Sequence, residues 1–187
     1  MTTTMIDAIQ ANAGNIPASS PKVAGYVTGT SAVLWTPQDW GRFNPVVTGL
    51  VRIDQGFTWP PAPASYDVLD VENLAVTAAE VPAAVQARIA AGITWTTIYG
   101  SASALAAVAA QLRAAPFGTG WYYGHVDCWL ADWNLDEAGA TALLGTPVSG
   151  LTCNAVQWAS PSSNPGTVLP GSTLTLAQAN CDLSVTV

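Results

Sequence analysis

Short apolar or alternating runs recur at residues 5–8, 23–28, 50–54, 68–72, 94–99, 128–133, 155–159 and 182–187. Each has the length and the Val, Ile, Leu, Thr and aromatic content of a β-strand. Between several of them the apolar spacing changes to three and four. Pro82 opens a helix over 83–91, with Val85 and Ile89 at i and i+4 and Gly92 supplying the C-terminal turn. Ser101 or Ser103 caps the next, whose Leu105, Val108 and Leu112 form an i, i+3, i+7 stripe. Thr36-Pro37-Gln38-Asp39 offers an N-cap, a proline at the first helical position and an acid in the first turn. Asn134 precedes Asp136 and Glu137 at the start of a further helix, which Gly145 ends. Proline-rich breaks at 59–65 and 160–166 are too short to be interdomain linkers.

Strand–helix alternation predicts parallel strands joined by crossovers. Eight strand candidates suggest a barrel, but 187 residues is well below the ~250 of a typical (β/α)8 barrel. The expected fold class is therefore α/β: a trimmed or irregular (β/α)8-type barrel of mostly parallel strands with short or missing helices. It forms a single domain over residues 1–187.

The most informative run is Asp67-Val68-Leu69-Asp70-Val71-Glu72-Asn73. Side chains alternate faces along a strand, so Val68, Asp70 and Glu72 share one face and Leu69 and Val71 the other. If the apolar face packs on helices, the acids point into the barrel at the strand's C-terminal end, with their backbones ~6–7 Å apart. Paired carboxyl groups at such spacing serve glycosidases as proton donor and partner carboxylate. Other acids also fall at strand ends: Asp7, Asp54, Asp132 and Asp182. Eight tryptophans add faces that stack on sugar rings. Trp95 reads as core filling, whereas Trp133 and Trp158, beside Asp132 and Gln157, read as lining a cleft.

Charge narrows the partners. Five Lys+Arg against 12 Asp+Glu leave a net charge of −7, too few cations for nucleic acid or an anionic membrane surface. The most apolar stretch, 102–112, is far short of the ~20 residues of a membrane span. No basic n-region opens the chain, so no Sec signal is expected. The protein is expected to be made in the cytoplasm and to act outside only through lysis or within a virion. The cysteines, Cys128, Cys153 and Cys181, lack metal-ligand spacing, and His125 is the one histidine. No metal or other cofactor is expected, and the cysteines read as thiols. Cys153 and Cys181, in or next to the last two strand candidates, are the two that could approach each other. No Gly-x-Ser-x-Gly is present, and His125, after the aromatic residues 121–123, has no evident serine partner for acyl transfer.

Ile6-Asp7, Val68-Leu69-Asp70-Val71-Glu72, Trp129-Leu130-Ala131-Asp132-Trp133, Ala155-Val156-Gln157-Trp158 and Asp182-Leu183-Ser184-Val185 together cover nearly the whole chain. In their order and spacing the chain resembles glycoside hydrolase family 25, the lysozyme-type muramidases. It looks most like the compact glycoside-hydrolase-like proteins of actinobacteria and their phages. The resemblance implies a short-helix barrel that cleaves the β-1,4 link between N-acetylmuramic acid and N-acetylglucosamine. Carried over by motif, Glu72 is the general acid and Asp70 its partner carboxylate. Asp7 and Asp182 support the cleft, and Trp133, Gln157, Trp158 and Asp132 line it against a cell-wall glycan. Asp7 is followed by Ala8, Ile9 and Gln10, not by the Asp-x-Ser-x-x-Gln run of active members. That departure sets a second expectation beside the first: a catalytically silent module on a phage virion that binds cell-wall carbohydrate.

Overall fold

The computed structural model describes residues 1–29, 33–56, 61–72, 76–115 and 124–187. Trp59 and Pro60 of the first proline break, Asn73, and residues 121–123 lie outside that set. The elements run β1 (Thr3–Asp7), a 3-10 turn (Gln10–Asn15), β2 (Lys22–Tyr26), α1 (Pro37–Trp40), β3 (Gly49–Asp54), β4 (Val68–Asp70) and α2 (Val81–Ala90). They continue with β5 (Thr96–Ser101), α3 (Ala102–Ala114), β6 (Val126–Ala131), α4 (Glu137–Leu143), β7 (Pro147–Val148), β8 (Leu151–Ala159), α5 (Leu176–Ala179) and β9 (Asp182–Thr186). All eight expected strands form.

The caps behave as the sequence dictates. Thr36 and Asp39 make a reciprocal capping box on α1. Ser101, not Ser103, caps α3 by accepting from the Ala104 N–H. Asp136 caps α4 by accepting from the Gly139 N–H. Gly92 takes a φ of 81° just past α2, a conformation that favours glycine.

The strands close into a mixed barrel of eight, with few and short helices outside it. Strands β1 to β6 pair side by side in parallel, and β6 pairs in parallel with β8. β9 then closes the ring, antiparallel to both β8 and β1. The last strand thus runs against the other seven, which strand–helix alternation alone does not predict. The two-residue β7, also unexpected, is a hairpin partner of β8 outside the ring.

Alternation along each strand sorts the apolar side chains into three groups. Leu69, Ile98, Leu130 and Val156 face outward against α2, α3 and α4, meeting the Leu105, Val108 and Leu112 stripe. Ile6, Val23 and Leu183 face outward on the opposite flank, covered by Trp35, Phe43 and Leu176. Met5, Ala24, Ile53, Val68, Tyr99, Trp129 and Ala155 fill the interior. Trp129 is fully buried there and donates through Nε1 to the Ser184 hydroxyl at 3.0 Å. This plug separates the two ends of the barrel.

Two expectations are corrected. Trp95 is 43% exposed and fills no core; it precedes β5 at the strands' N-terminal end, where its indole N–H bonds to Asp127. The neighbouring cysteines are Cys128 and Cys153, register partners across β6 and β8, while Cys181 sits in the opposite outer cluster. All three are buried free thiols. Among the described residues, no helix is long and apolar enough to cross a membrane.

Candidate active site

At the C-terminal end of the parallel strands, four acids from the ends of β1, β4 and β9 converge on one mouth. β4 presents Asp70 inward, with Leu69 and Val71 packed outward among the helices. The strand ends at Asp70, so Glu72 stands just beyond it, half-buried at the rim. Asp7 ends β1 and Asp182 begins β9, and the two are direct partners in the antiparallel register. The reversal of β9 brings its first residue, not its last, to this end.

Polar neighbours fix the acids. Asp70 is 1% exposed. Its Oδ1 accepts from the Glu72 backbone N–H at 2.8 Å and its Oδ2 from Gln55 Nε2 at 3.4 Å. Gln157 donates through Nε2 to Asp7 Oδ2 at 3.4 Å, and its Oε1 accepts from the Tyr99 hydroxyl at 2.5 Å. That hydroxyl also lies against the Glu72 carboxylate. Asp7 Oδ1 is buried with no hydrogen-bond partner.

The electrostatics come from burial and crowding. Asp7 is pushed well above the usual carboxylate range, first by burial and then by the charges of Asp182 and Asp70. Burial pushes Asp182 up to about 7. Glu72 is raised by partial burial and by Asp70, against opposing hydrogen bonds from Tyr99 and the Ser101 backbone. Tyr26 and Tyr99 are both raised, by burial first and then by these same acids, so they remain neutral donors. A mouth of this kind holds some carboxyl groups protonated beside others that are ionised, the division of labour acid–base chemistry needs.

The structure therefore brings together Asp7, Asp70, Glu72, Asp182 and Gln157. It does not bring all the expected lining residues. Trp158 packs against the two outer clusters because Gln157, its neighbour, takes the inward position. Asp132 lies past the end of β6, where its Oδ1 accepts from the Asn134 backbone and side chain at 3.1 Å. Trp133, 46% exposed, stands two residues beyond β6. His125 sits against the Thr94 carbonyl, 2.7 Å away, at the opposite end of the barrel. Asp54 is buried beneath the β2 and β3 loops, where it accepts from Thr28 Oγ1 at 2.7 Å and from the Gly56 N–H at 2.6 Å. Sequence reasoning missed Gln55, Tyr26 and Tyr99. For the tyrosines the signal was present: the alternation Ala24-x-Tyr26 and Thr97-x-Tyr99 puts both rings on the inward face at strand C-termini.

No protein-family model and no curated protein matches the chain. One solved structure does, the 1.07 Å crystal structure of an uncharacterized B. stearothermophilus protein. It is 12% identical, with a TM-score of 0.64, over 99% of this chain and 96% of that one. At that identity the likeness is one of fold.

Proposed function

We propose that the protein is a peptidoglycan-directed glycoside hydrolase of the muramidase type, built on a (β/α)8-type barrel whose last strand is reversed. The observation that carries the reading is the convergence of Asp70 and Glu72 with Asp7 and Asp182 at the C-terminal mouth, where barrel enzymes assemble their sites. Glu72, half-buried and raised, is the proton donor to the glycosidic oxygen. Asp70, held by the Glu72 N–H and Gln55, is the partner that orients the substrate's acetamido group or stabilises positive charge on the ring. Asp7, Asp182 and Gln157 line the floor, and the exposed Trp133, on the loop after β6, is assigned the stacking role. Asp132 and Trp158 have no part in this reading. The partner is a cell-wall glycan, reached through lysis or from a virion.

A second reading, a silent glycan-binding module on a phage virion, is favoured by the residues after Asp7. Ala8 is buried in an outer cluster, and Gln10 bonds to Asp39, away from the mouth, so neither adds a polar group there.

The experiment is incubation with purified actinobacterial peptidoglycan, followed by mass spectrometry for new reducing ends, with Glu72→Gln treated in parallel. New ends from the wild type alone support the hydrolase. Co-sedimentation with peptidoglycan without new ends supports the silent module. Absence of both new ends and co-sedimentation rejects the two readings together.

A further inference from the structure

Beneath the Trp129 plug, the other end of the barrel holds a pocket with mostly apolar walls and a few polar groups that the hydrolase reading does not use. A cavity of about 220 Å³ lies at the N-terminal end of the parallel strands, with Met5, Val68 and Trp129 among its apolar walls. Lys22 from β2, Thr97 from β5, Asp127 from β6 and Asn154 from β8 supply its polar groups, together with Asp67, whose charge is already paired with Arg52. A second recess of about 430 Å³ shares Asp67 and Thr97 with it and is bordered by the half-exposed Trp95.

Asp127 is only 2% exposed. Its Oδ2 accepts from Asn154 Nδ2 at 2.5 Å and from the Trp95 indole N–H. The Thr97 hydroxyl also lies against this carboxylate, while its Oδ1 is buried with no hydrogen bond of normal geometry, which leaves that oxygen able to accept from a further donor. Lys22 donates to Thr186 Oγ1 at 2.6 Å, which uses one of the ammonium's three N–H groups. Lys22 and Asp127 influence each other's charge across the cavity. Among the described residues the ion pair within contact distance is Arg52–Asp67, not these two. The cavity thus presents an unused acceptor and unused donors separated by a gap.

The ligand chemistry is reached by elimination. A bare cation would suit Asp127 and be repelled by Lys22, and a bare anion the reverse. A hydroxyl both donates and accepts, and vicinal hydroxyls do so at neighbouring positions. The apolar walls match the C–H faces of a sugar ring. The volume is below the ~300 Å³ at which drug-sized pockets begin, so the occupant is one ring in size. We propose that this cavity binds a monosaccharide or sugar alcohol, one hydroxyl donating to Asp127 Oδ1 and its neighbour accepting from Lys22 Nζ.

The test is titration of the ¹⁵N-labelled protein with D-glucose, N-acetylglucosamine and sorbitol, with ethylammonium and acetate as controls. Titrations run to roughly 100 mM, where even a millimolar binder is saturated. The Trp95 indole N–H, bonded to Asp127, is the reporter. At least one polyol is expected to shift it saturably. Lys22→Met and Asp127→Asn, each with a folded spectrum, should weaken that binding about tenfold or more, the loss for one hydrogen bond to a charged group. Glu72→Gln, at the other end of the barrel, should bind unchanged. The proposal is overturned if no polyol shifts the indole, if only mouth residues such as Tyr99 and Gln157 respond, if ethylammonium or acetate saturates the site instead, or if Lys22→Met binds as tightly as wild type. A protein inactive on peptidoglycan leaves this result untouched, so the two proposals fail separately.

Discussion

Asp7 and Asp182 face each other across the antiparallel pairing of β1 and β9, both at the barrel mouth. Two carboxyl groups so placed cannot both ionise cheaply, and burial raises each above its ordinary value. The pairing exists only because β9 runs opposite to its neighbours.

This pair sets the pH dependence of stability. Both acids hold protons more tightly folded than unfolded. Their stabilising contribution is fully present below the ordinary carboxylate pKa and is lost as pH rises, through about 7 for Asp182. Asp67 acts in the opposite sense: Arg52 holds it low, so its contribution is lost as pH falls below the usual carboxylate range. Urea-unfolding free energy should therefore decline from about pH 5 to about pH 8, by an amount on the order of a few kcal/mol. Asp182→Asn should flatten the decline. Stability that rises across that window would contradict the assignment.

Gly25 in β2 lies flat against an indole. A Cβ there would meet the Trp35 ring at 2.3 to 2.8 Å. Trp35 cannot swing aside without breaking its bond to the Ala8 carbonyl, 2.8 Å from Nε1, and its stacking on Phe43. Gly25→Ala should cost about 1–3 kcal/mol by overpacking, visible as a lower urea midpoint with unchanged m-value. A midpoint within error of wild type would show that the ring moves freely.

Arg88 is a buried cation that ties two loops, β3–β4 and α2–β5, to α2. It donates to the Pro63 carbonyl at 2.6 Å, to the Tyr66 carbonyl, and to the Trp95 carbonyl at 3.0 Å, and lies 4.4 Å from the Tyr66 ring centroid. Arg88→Met keeps the stem and removes every donor, leaving carbonyl oxygens without partners. The expected loss is roughly 2–4 kcal/mol. Hydrogen exchange should quicken first in β4 and at the start of β5, the segments these carbonyls anchor. Uniform quickening across the barrel would instead indicate global destabilisation alone.

The barrel was legible because its signals are local. Short apolar or alternating β-rich runs marked every strand of the ring, and the Thr36, Ser101 and Gly92 signals marked helix ends. The direction of β9 was not legible, because the interval from Ala159 to Asp182 is long enough for either a crossover or a reversal. The acids of the mouth were legible one strand at a time. Their mutual proximity depends on ring closure, which no local pattern encodes. Trp158 misled because it and Gln157 are both read as lining one cleft, whereas adjacent residues of a strand face opposite sides and Gln157 takes the inward one. Asp127 passed unnoticed because it precedes the expected strand start at Cys128, yet β6 begins one residue earlier still, at Val126.

Asp70→Asn and Glu72→Gln separate the two functional readings. Asp70 accepts from one backbone N–H and from the Gln55 amide. An asparagine can keep the first bond through its oxygen and turn its amide towards Gln55, whose own amide rotates to present oxygen. Glu72 is half-buried at the rim, so glutamine fits with little strain. Both variants should therefore fold. Each also removes one charge from the crowded mouth, so thermal midpoints should hold or rise. If the mouth is catalytic, Glu72→Gln loses the transferable proton and reducing-end release should fall about 10²–10⁴-fold. Asp70→Asn should lose a comparable factor, because a neutral amide cannot stabilise the cationic ring of the transition state. If the protein is a silent module, the wild type releases no ends and the variants show the gain in stability alone. A wild-type rate that survives both substitutions would place the chemistry on other residues, and the convergence of four acids at the mouth would then need a different explanation.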